Sequence, residues 1–569
     1  MPGCAAGPGE RWSSCCATAD RAGVLRPDRS RASTWWVVDV GGAGWWERVR
    51  GGLPWGGPRV SVVVPVFEPG SNIVPLLASL DAQSLGRRAV ELVFVDDGSR
   101  DGETLGWLRA RAAERSNMVV VSIPGSGWPG RPRNVGLERA RGEYVFFSDQ
   151  DDELFPEALE RMVAMADRNG SDVVAGKVVR VGGGTPYWGL AGGDVERADL
   201  VGDGVMQSRT VHKLFRRSFL VEHGIRFLEG RVRLEDHHFM GQVFGCSPVV
   251  SVLASSPCYR WVRRRDGTNN SSKAVDPDWY WGYYTAALDV ADERGADPHV
   301  SRELRREGAQ QCFSRTFINR FERRPPATRH TYFASTVAFV RRTFGEEVDR
   351  DLSVLRRLRF QTLRAEDEPA FLAVCQALSS LERHVDVEEV GWSGTALDVR
   401  LQVQVRSDDD RITVAQEPDR ATAVIAAPSG VISAALGQHD APWGSLSVRS
   451  VQSGIEWPVE CRSVAVQPGA GDGWLQSIRI EARVQPFVGF VGPALEPGTW
   501  RLQVRSSFLG EPAVQAVPLD PDVHAEVLAQ RVEERDGADV VRARLTRSSA
   551  SSAMLRVRRP GRASASDGQ

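Results

Sequence analysis

From Val60 onward the chain alternates short apolar runs with longer amphipathic ones. Val60-Ser-Val-Val-Val-Pro-Val66 is almost continuously β-branched, as expected of a strand buried on both faces. Residues 91–96, 118–123 and 144–147 repeat the pattern, each bounded by glycine or polar positions. Between them, residues 73–83, 102–116 and 131–140 carry apolar side chains at helical spacing. This β-α-β-α-β-α-β order predicts a parallel, right-handed, doubly wound sheet. A helix over 155–169 and a strand over 172–181 extend it. A Gly-rich stretch from Gly182 to Gly204 reads as irregular and suited to an acceptor groove. Beyond it, Phe239, Met240, Val243 and Phe244 stand behind Glu235 and Asp236 at the opening of another helix.

The pattern then changes twice. Residues 276–384 show aromatic and Leu positions three and four apart, broken at Pro325-Pro326, and read as helical. After Val385 the spacing falls to two, as in Ala396-Leu-Asp-Val-Arg-Leu-Gln-Val-Gln-Val-Arg406, which predicts half-buried antiparallel strands in a β-sandwich-like module. Residues 1–58 mix Gly, Pro, Arg and Ser with two Trp pairs and no period. We expect a leader without a packed element there, with a Trp-anchored membrane contact as the alternative. It lacks the layout of a secretory signal, and no run in the chain approaches the length of a transmembrane helix. The expected organisation is a leader (1–58), an α/β domain (59–273), a helical linker (274–384), a β-rich domain (385–560) and a disordered tail (561–569).

Composition narrows this only slightly. With 71 basic and 73 acidic residues in 569, bulk charge predicts no nucleic-acid partner. The eight cysteines form no CxxC pair and no zinc-ligand spacing, and read as reduced thiols of a cytoplasmic protein.

Chemistry concentrates after the fourth strand. Asp149, Asp151 and Asp152 lie at its carboxyl end, where ligands bind in open α/β sheets. Three carboxylates there repel one another unless a cation neutralises them. Oxygen ligands suit Mg²⁺ or Mn²⁺, which bridge substrate phosphates. The plain alternative is an acidic turn, since Asp favours turns and helix caps. Gly125-Ser-Gly127-Trp-Pro-Gly130 matches GxGxxG. It follows the third strand rather than the first, however, and Trp128-Pro129 is bulky where a pyrophosphate would need bare backbone, so a dinucleotide site is not expected. Glu235 and Asp236 at a helix start could simply complement its dipole. His237 and His238 are adjacent, cannot share one helix face, and are assigned no metal.

Taken in order, Val60 to Phe67, Val95-Asp96-Asp97-Gly98-Ser99, Arg133-Asn134-x-Gly136-Leu137, Gly142-Glu143-Tyr144, Asp149-x-Asp151-Asp152 and Glu235-Asp236 resemble the inverting family-two glycosyltransferases of GT-A fold. The resemblance implies a metal-dependent sugar transfer from a nucleotide-sugar donor, UDP-linked, by a hexosyl or N-acetylhexosaminyl transferase. Pro65, Val66, Phe67, Glu68 and Asp97 would hold the nucleotide base, Arg133 and Asn134 the nucleotide or its diphosphate, and Asp149 the ribose. Asp151 would bind Mn²⁺ or Mg²⁺. Asp236 would be the general base, since inverting displacement needs one carboxylate to take the acceptor's proton, and Glu235 would orient acceptor or base. Arg260, Arg264 and Thr268 resemble the diphosphate-contacting lid of wall-teichoic-acid glycosyltransferases that act on poly(ribitol phosphate), although the first of these positions is often His. The implied acceptor is a polymeric or lipid-linked glycan. The implied location is the cytoplasm, at the inner face of the membrane. The β-rich region would serve the acceptor or hold identical chains together. Two rival readings are a polysaccharide-synthesising transferase and a catalytically silent carbohydrate-binding protein. Intact Asp97, Asp151 and Asp236 argue against silence.

Overall fold

The structure, a computed structural model, describes residues 57–558 except 182–192, 263–275, 314–316, 318–320, 418–419, 468–472, 488–494, 521–523 and 537–538. The expected leader up to residue 56, the Gly182-Gly183-Gly184 loop, Arg264, Thr268 and the tail from residue 561 lie outside the described residues.

Four strands, β1 (Val60–Val66), β2 (Val90–Asp96), β3 (Met118–Ser122) and β4 (Tyr144–Phe147), pair in parallel in the order β3-β2-β1-β4. The helices between them are α1 (Ile73–Asp81), α2 (Thr104–Ala113) and α3 (Gly130–Arg139). After β4 come β5 (Glu153–Leu154), α4 (Ala158–Asn169), β6 (Val173–Val181), β7 (Leu214–Arg216), α5 (Arg217–Glu222), α6 (Glu235–Gly245) and β8 (Val250–Val262). The sheet continues β4-β7-β6-β8-β5, with β7 antiparallel to both β4 and β6, so it is mixed rather than wholly parallel. The short β7 is what reverses it.

Pleating explains why β1 reads as continuously apolar: Val62 and Val64 enter the core on one face of the sheet while Val63 enters the core on the other. On that second face α3 lies against β1 so closely that a Cβ on Gly136 would come 2.2 Å from Val63 Cγ1. This contact sets the helix that carries Arg133.

The helical region contains α7 (Pro277–Glu293), α8 (Pro298–Gln311), α9 (Pro326–Thr343), α10 (Val354–Arg364) and α11 (Glu368–Ser379). Asp276, Asp297 and Asp367 accept first-turn amides at the starts of α7, α8 and α11, each ahead of a proline. Beyond Leu381 the described strands are antiparallel within sheets of four, three and seven strands. Strand Ala396–Ser407 alternates buried and more exposed positions, as its spacing predicts. This region touches the first sheet directly: Lys177 Nζ on β6 lies 3.4 Å from the ring centre of Trp457, and Arg449 donates to the Arg180 carbonyl at 2.6 Å. Among the described residues no helix is long and apolar enough to cross a membrane.

Candidate active site

The carboxyl ends of β1, β2 and β4 and the start of α6 surround a cavity of about 690 Å³. Pro65, Val66, Phe67, Glu68, Asp97, Arg133, Asp149, Asp151, Glu235 and Asp236 all line it. Residues distant in sequence therefore meet where an α/β sheet binds ligands.

Its electrostatic centre is Arg133, 4% exposed. The guanidinium donates to Asp149 Oδ1 at 2.7 Å and to Glu235 Oε1 at 3.0 Å, joining the end of β4 to the first turn of α6. Burial works against its charge, but Asp149, Glu235 and Asp236 outweigh burial and raise its pKa. Burial likewise opposes the charge of Asp149. Arg133 and His212 prevail, holding that carboxyl well below the usual range. Glu235 behaves differently. Burial and then the Asp236 charge push it up to about 7, with Arg133 pulling the other way. Its second oxygen accepts from the Trp128 indole at 3.3 Å. The carboxylate of Asp236 accepts the backbone amide of His237 at 2.9 Å. Burial lowers the His237 pKa to about 4, and its Nδ1 is buried without a hydrogen-bond partner among the described residues. Leu234, at the cap of α6, has φ 60° and ψ 31°, a left-handed backbone that swings the chain into the helix.

The acidic turn divides its labour. Asp151 faces the cavity. Asp152 is turned inward, accepting from the Tyr259 hydroxyl and the Val262 amide, each at 2.7 Å. Burial and the neighbouring Asp149 and Asp151 raise its pKa well above the ordinary value, which favours its neutral form. Asp149, Asp152 and His212 do bring ligand-type atoms within 4.8 Å of one another. Asp152 does not line the cavity, so Asp151 and Asp149, which do, are the better oxygen donors for Mg²⁺ or Mn²⁺ there. Gln150 pairs like a strand with Phe67: its amide accepts the Phe67 N–H at 2.8 Å and donates to the Phe67 carbonyl at 3.1 Å.

Asp97 holds a loop in this structure. It accepts the amides of Ser126 and Gly127 at 2.8 and 3.0 Å and the Ser126 hydroxyl at 2.9 Å. The amides that a GxGxxG loop would offer to pyrophosphate are thus already capped by a carboxylate, in line with the rejection of a dinucleotide site.

Two expected donor residues stand elsewhere. Asn134 does not line the cavity. Its amide clamps the backbone of Phe227, at 2.9 and 3.0 Å, and donates to Glu229, tying α3 to the segment before α6. Arg260 pairs with Glu153 at 2.9 Å and lies over the Phe155 ring, whereas its neighbour Trp261 lines the cavity, because successive strand residues face opposite ways. Sequence reasoning missed His212, which contacts Asp149 at 3.3 Å and stacks on Tyr259 at 4.3 Å, as well as Trp128, Arg233 and Tyr280. The run Val211-His-Lys carries no spacing that marks His212 as a site residue.

Residues 61–228 match the family described as glycosyl transferase family 2, and residues 277–375 match the glycosyl transferase TarS linker domain. A poly(ribitol-phosphate) beta-glucosyltransferase of Bacillus spizizenii is 33% identical over 228 residues, covering 39% of this chain and 35% of that protein. The poly(ribitol-phosphate) beta-N-acetylglucosaminyltransferase TarS of Staphylococcus aureus is 30% identical over 248 residues, 43% of each chain. The chain thus spans well under half the length of these curated relatives. The crystal structure of S. aureus TarS 1-349 in complex with UDP-GlcNAc superposes with a TM-score of 0.51 at 25% identity, covering 60% of this chain and 96% of that one.

Proposed function

From a family 2 glycosyl transferase domain at residues 61–228, followed by a TarS-type linker domain, we propose that this chain transfers a sugar from a UDP donor to poly(ribitol phosphate) or its lipid-linked precursor, with inversion. It would act in the cytoplasm, at the inner face of the membrane. The supporting observation is that one 690 Å³ cavity is lined both by the acidic turn Asp149–Asp151 and by the Glu235-Asp236 pair.

In this reading the donor nucleotide lies along Pro65 to Glu68, beside the loop that Asp97 braces. Asp151, with Asp149 beside it, would hold Mg²⁺ or Mn²⁺, which supplies positive charge against the diphosphate. Arg133 keeps Asp149 and Glu235 in a fixed relation and adds a buried positive charge to the same wall. Asp236 accepts the proton of the acceptor hydroxyl. The new bond forms between that oxygen and the anomeric carbon as the bond to the diphosphate oxygen breaks. Glu235 is less suited to that step, because Arg133 and Trp128 hold both of its oxygens. The strands beyond Leu381 would hold the long acceptor or a second copy of the chain, raising the effective concentration of the next acceptor unit.

The test is calorimetric titration of UDP, with Mn²⁺ or with excess chelator, alongside mass spectrometry of ribitol phosphate oligomers incubated with UDP-GlcNAc or UDP-glucose. We expect binding that collapses in chelator and in Asp151→Ala, and oligomers heavier by one sugar. Equal binding in chelator removes the metal from the reading. Unmodified oligomers with every UDP-sugar overturn the reaction.

A further inference from the structure

Among the described residues lining the cavity, Tyr280 alone comes from beyond Val262. It sits in the first turn of α7, in the helical region rather than the catalytic sheet. The packing of α6 against α7 fixes its position. A Cβ on Gly241 would meet the Ala287 carbonyl at 2.7 Å and Val290 Cγ1 at 2.6 Å. One on Gly245 would meet the Ala291 carbonyl at 2.8 Å and Arg294 Cβ at 2.7 Å. One turn forward along α6 thus corresponds to one turn forward along α7. The helices run parallel with their backbones nearly touching, a contact that only glycine permits. Counting back along both from that contact brings Asp236 and Tyr280 to within about two to five residues of the same level, ~3–8 Å along the axes.

The base of Tyr280 is rigid. Trp281 is buried and stacks on Phe339 at 4.2 Å, and Tyr284 donates to the Gly308 carbonyl at 2.9 Å. A side chain on such a scaffold is held more tightly than one on a loop. Burial raises the Tyr280 pKa to about 12, and the charges of Arg209, Arg233 and Asp236 all act on it. It therefore stays a neutral phenol, able to donate or accept, across the working pH range.

We propose that Tyr280 is an acceptor-binding residue: its phenol meets the acceptor beside Asp236 and presents the acceptor hydroxyl to that carboxylate, so the helical region completes the acceptor half of the cavity. This rests on the glycosyl-transfer reading of the same cavity. The remaining described lining residues, Asp236 among them, belong to the segment ending at Val262.

The experiment measures transfer from UDP-GlcNAc to a ribitol phosphate oligomer by the full chain, with Tyr280→Phe and Tyr280→Ala beside it. Tyr280→Phe keeps the ring and removes one hydrogen-bonding group. It should raise the acceptor KM about tenfold while the dissociation constant for UDP stays within twofold. Tyr280→Ala should raise the acceptor KM further. A residue of merely structural importance would weaken both substrates together. Wild-type acceptor KM in Tyr280→Phe, or equal losses for UDP and acceptor, overturns the assignment while leaving the reaction intact. No transfer by the wild-type chain overturns the reaction, and this inference with it.

Discussion

Two buried Arg–carboxylate clusters, one in each half of the molecule, look alike in a list and differ in place. In the first sheet, Arg133 joins Asp149 and Glu235. Among the antiparallel strands, Arg505 joins Glu456 at 2.9 Å, both under a tenth exposed. Each keeps charge inside the protein by pairing it. The first cluster faces a cavity of 690 Å³ and joins the ends of elements, whereas the second is enclosed between strands and helps hold the hairpin that rests on β6. Buried charge by itself therefore marks structure. Buried charge opening on a cavity marks a site.

The sharpest way to break this contrast is Asp236→Asn. Transfer should fall by about two to four orders of magnitude with UDP binding intact, as read by steady-state rates and calorimetry. Near-normal turnover would move the base elsewhere. Next comes a matched pair, Arg133→Met and Arg505→Met. Each strands a buried carboxylate and should cost ~3–5 kcal/mol in denaturant melts. Only Arg133→Met should also weaken UDP, and a comparable loss in both variants would erase the distinction.

A smaller effect concerns pH. Glu235 titrates at about 7 in the fold against an ordinary 4.5, so between those values the folded chain keeps a proton that the unfolded chain has released. Stability should fall as pH rises from 4.5 through 7 and level off above, with a slope of at most about 1.4 kcal/mol per unit. Thermal melts of Glu235→Gln should lack that slope. The smallest effect belongs to the far strands, where Arg483 and Asp398 face each other across a ladder at the surface. Arg483→Ala should leave the midpoint of a denaturant melt nearly unchanged.

Much of the architecture was legible because local pattern and burial coincide. The β-branched run of β1 is buried throughout apart from Pro65, and Tyr144–Phe147 is a strand with the expected bounds. The antiparallel reversal at Leu214–Arg216 was not legible, since three residues carry no period and the pairing is set at long range. Within the site, residue type was a better guide than orientation. Arg133 and Asn134 are neighbours on one helix, and Asp151 and Asp152 on one turn. In each pair one faces the cavity and the other is bound into the protein. A helix turns ~100° per residue, so identity alone cannot say which. Tyr280 was illegible for another reason: its relation to Asp236 exists only through the contact of two helices.

Leu234 bears on engineering. Bulky side chains adopt a left-handed backbone at a cost of roughly 1 kcal/mol, and this one immediately precedes Glu235 and Asp236. Glycine there would relieve that strain but give up the packing of the half-buried leucine against the core. The same change would let the first turn of α6 wander, and with it the carboxylate assigned to proton transfer. Strain, packing and turnover thus meet at one residue, so selection there should weigh all three.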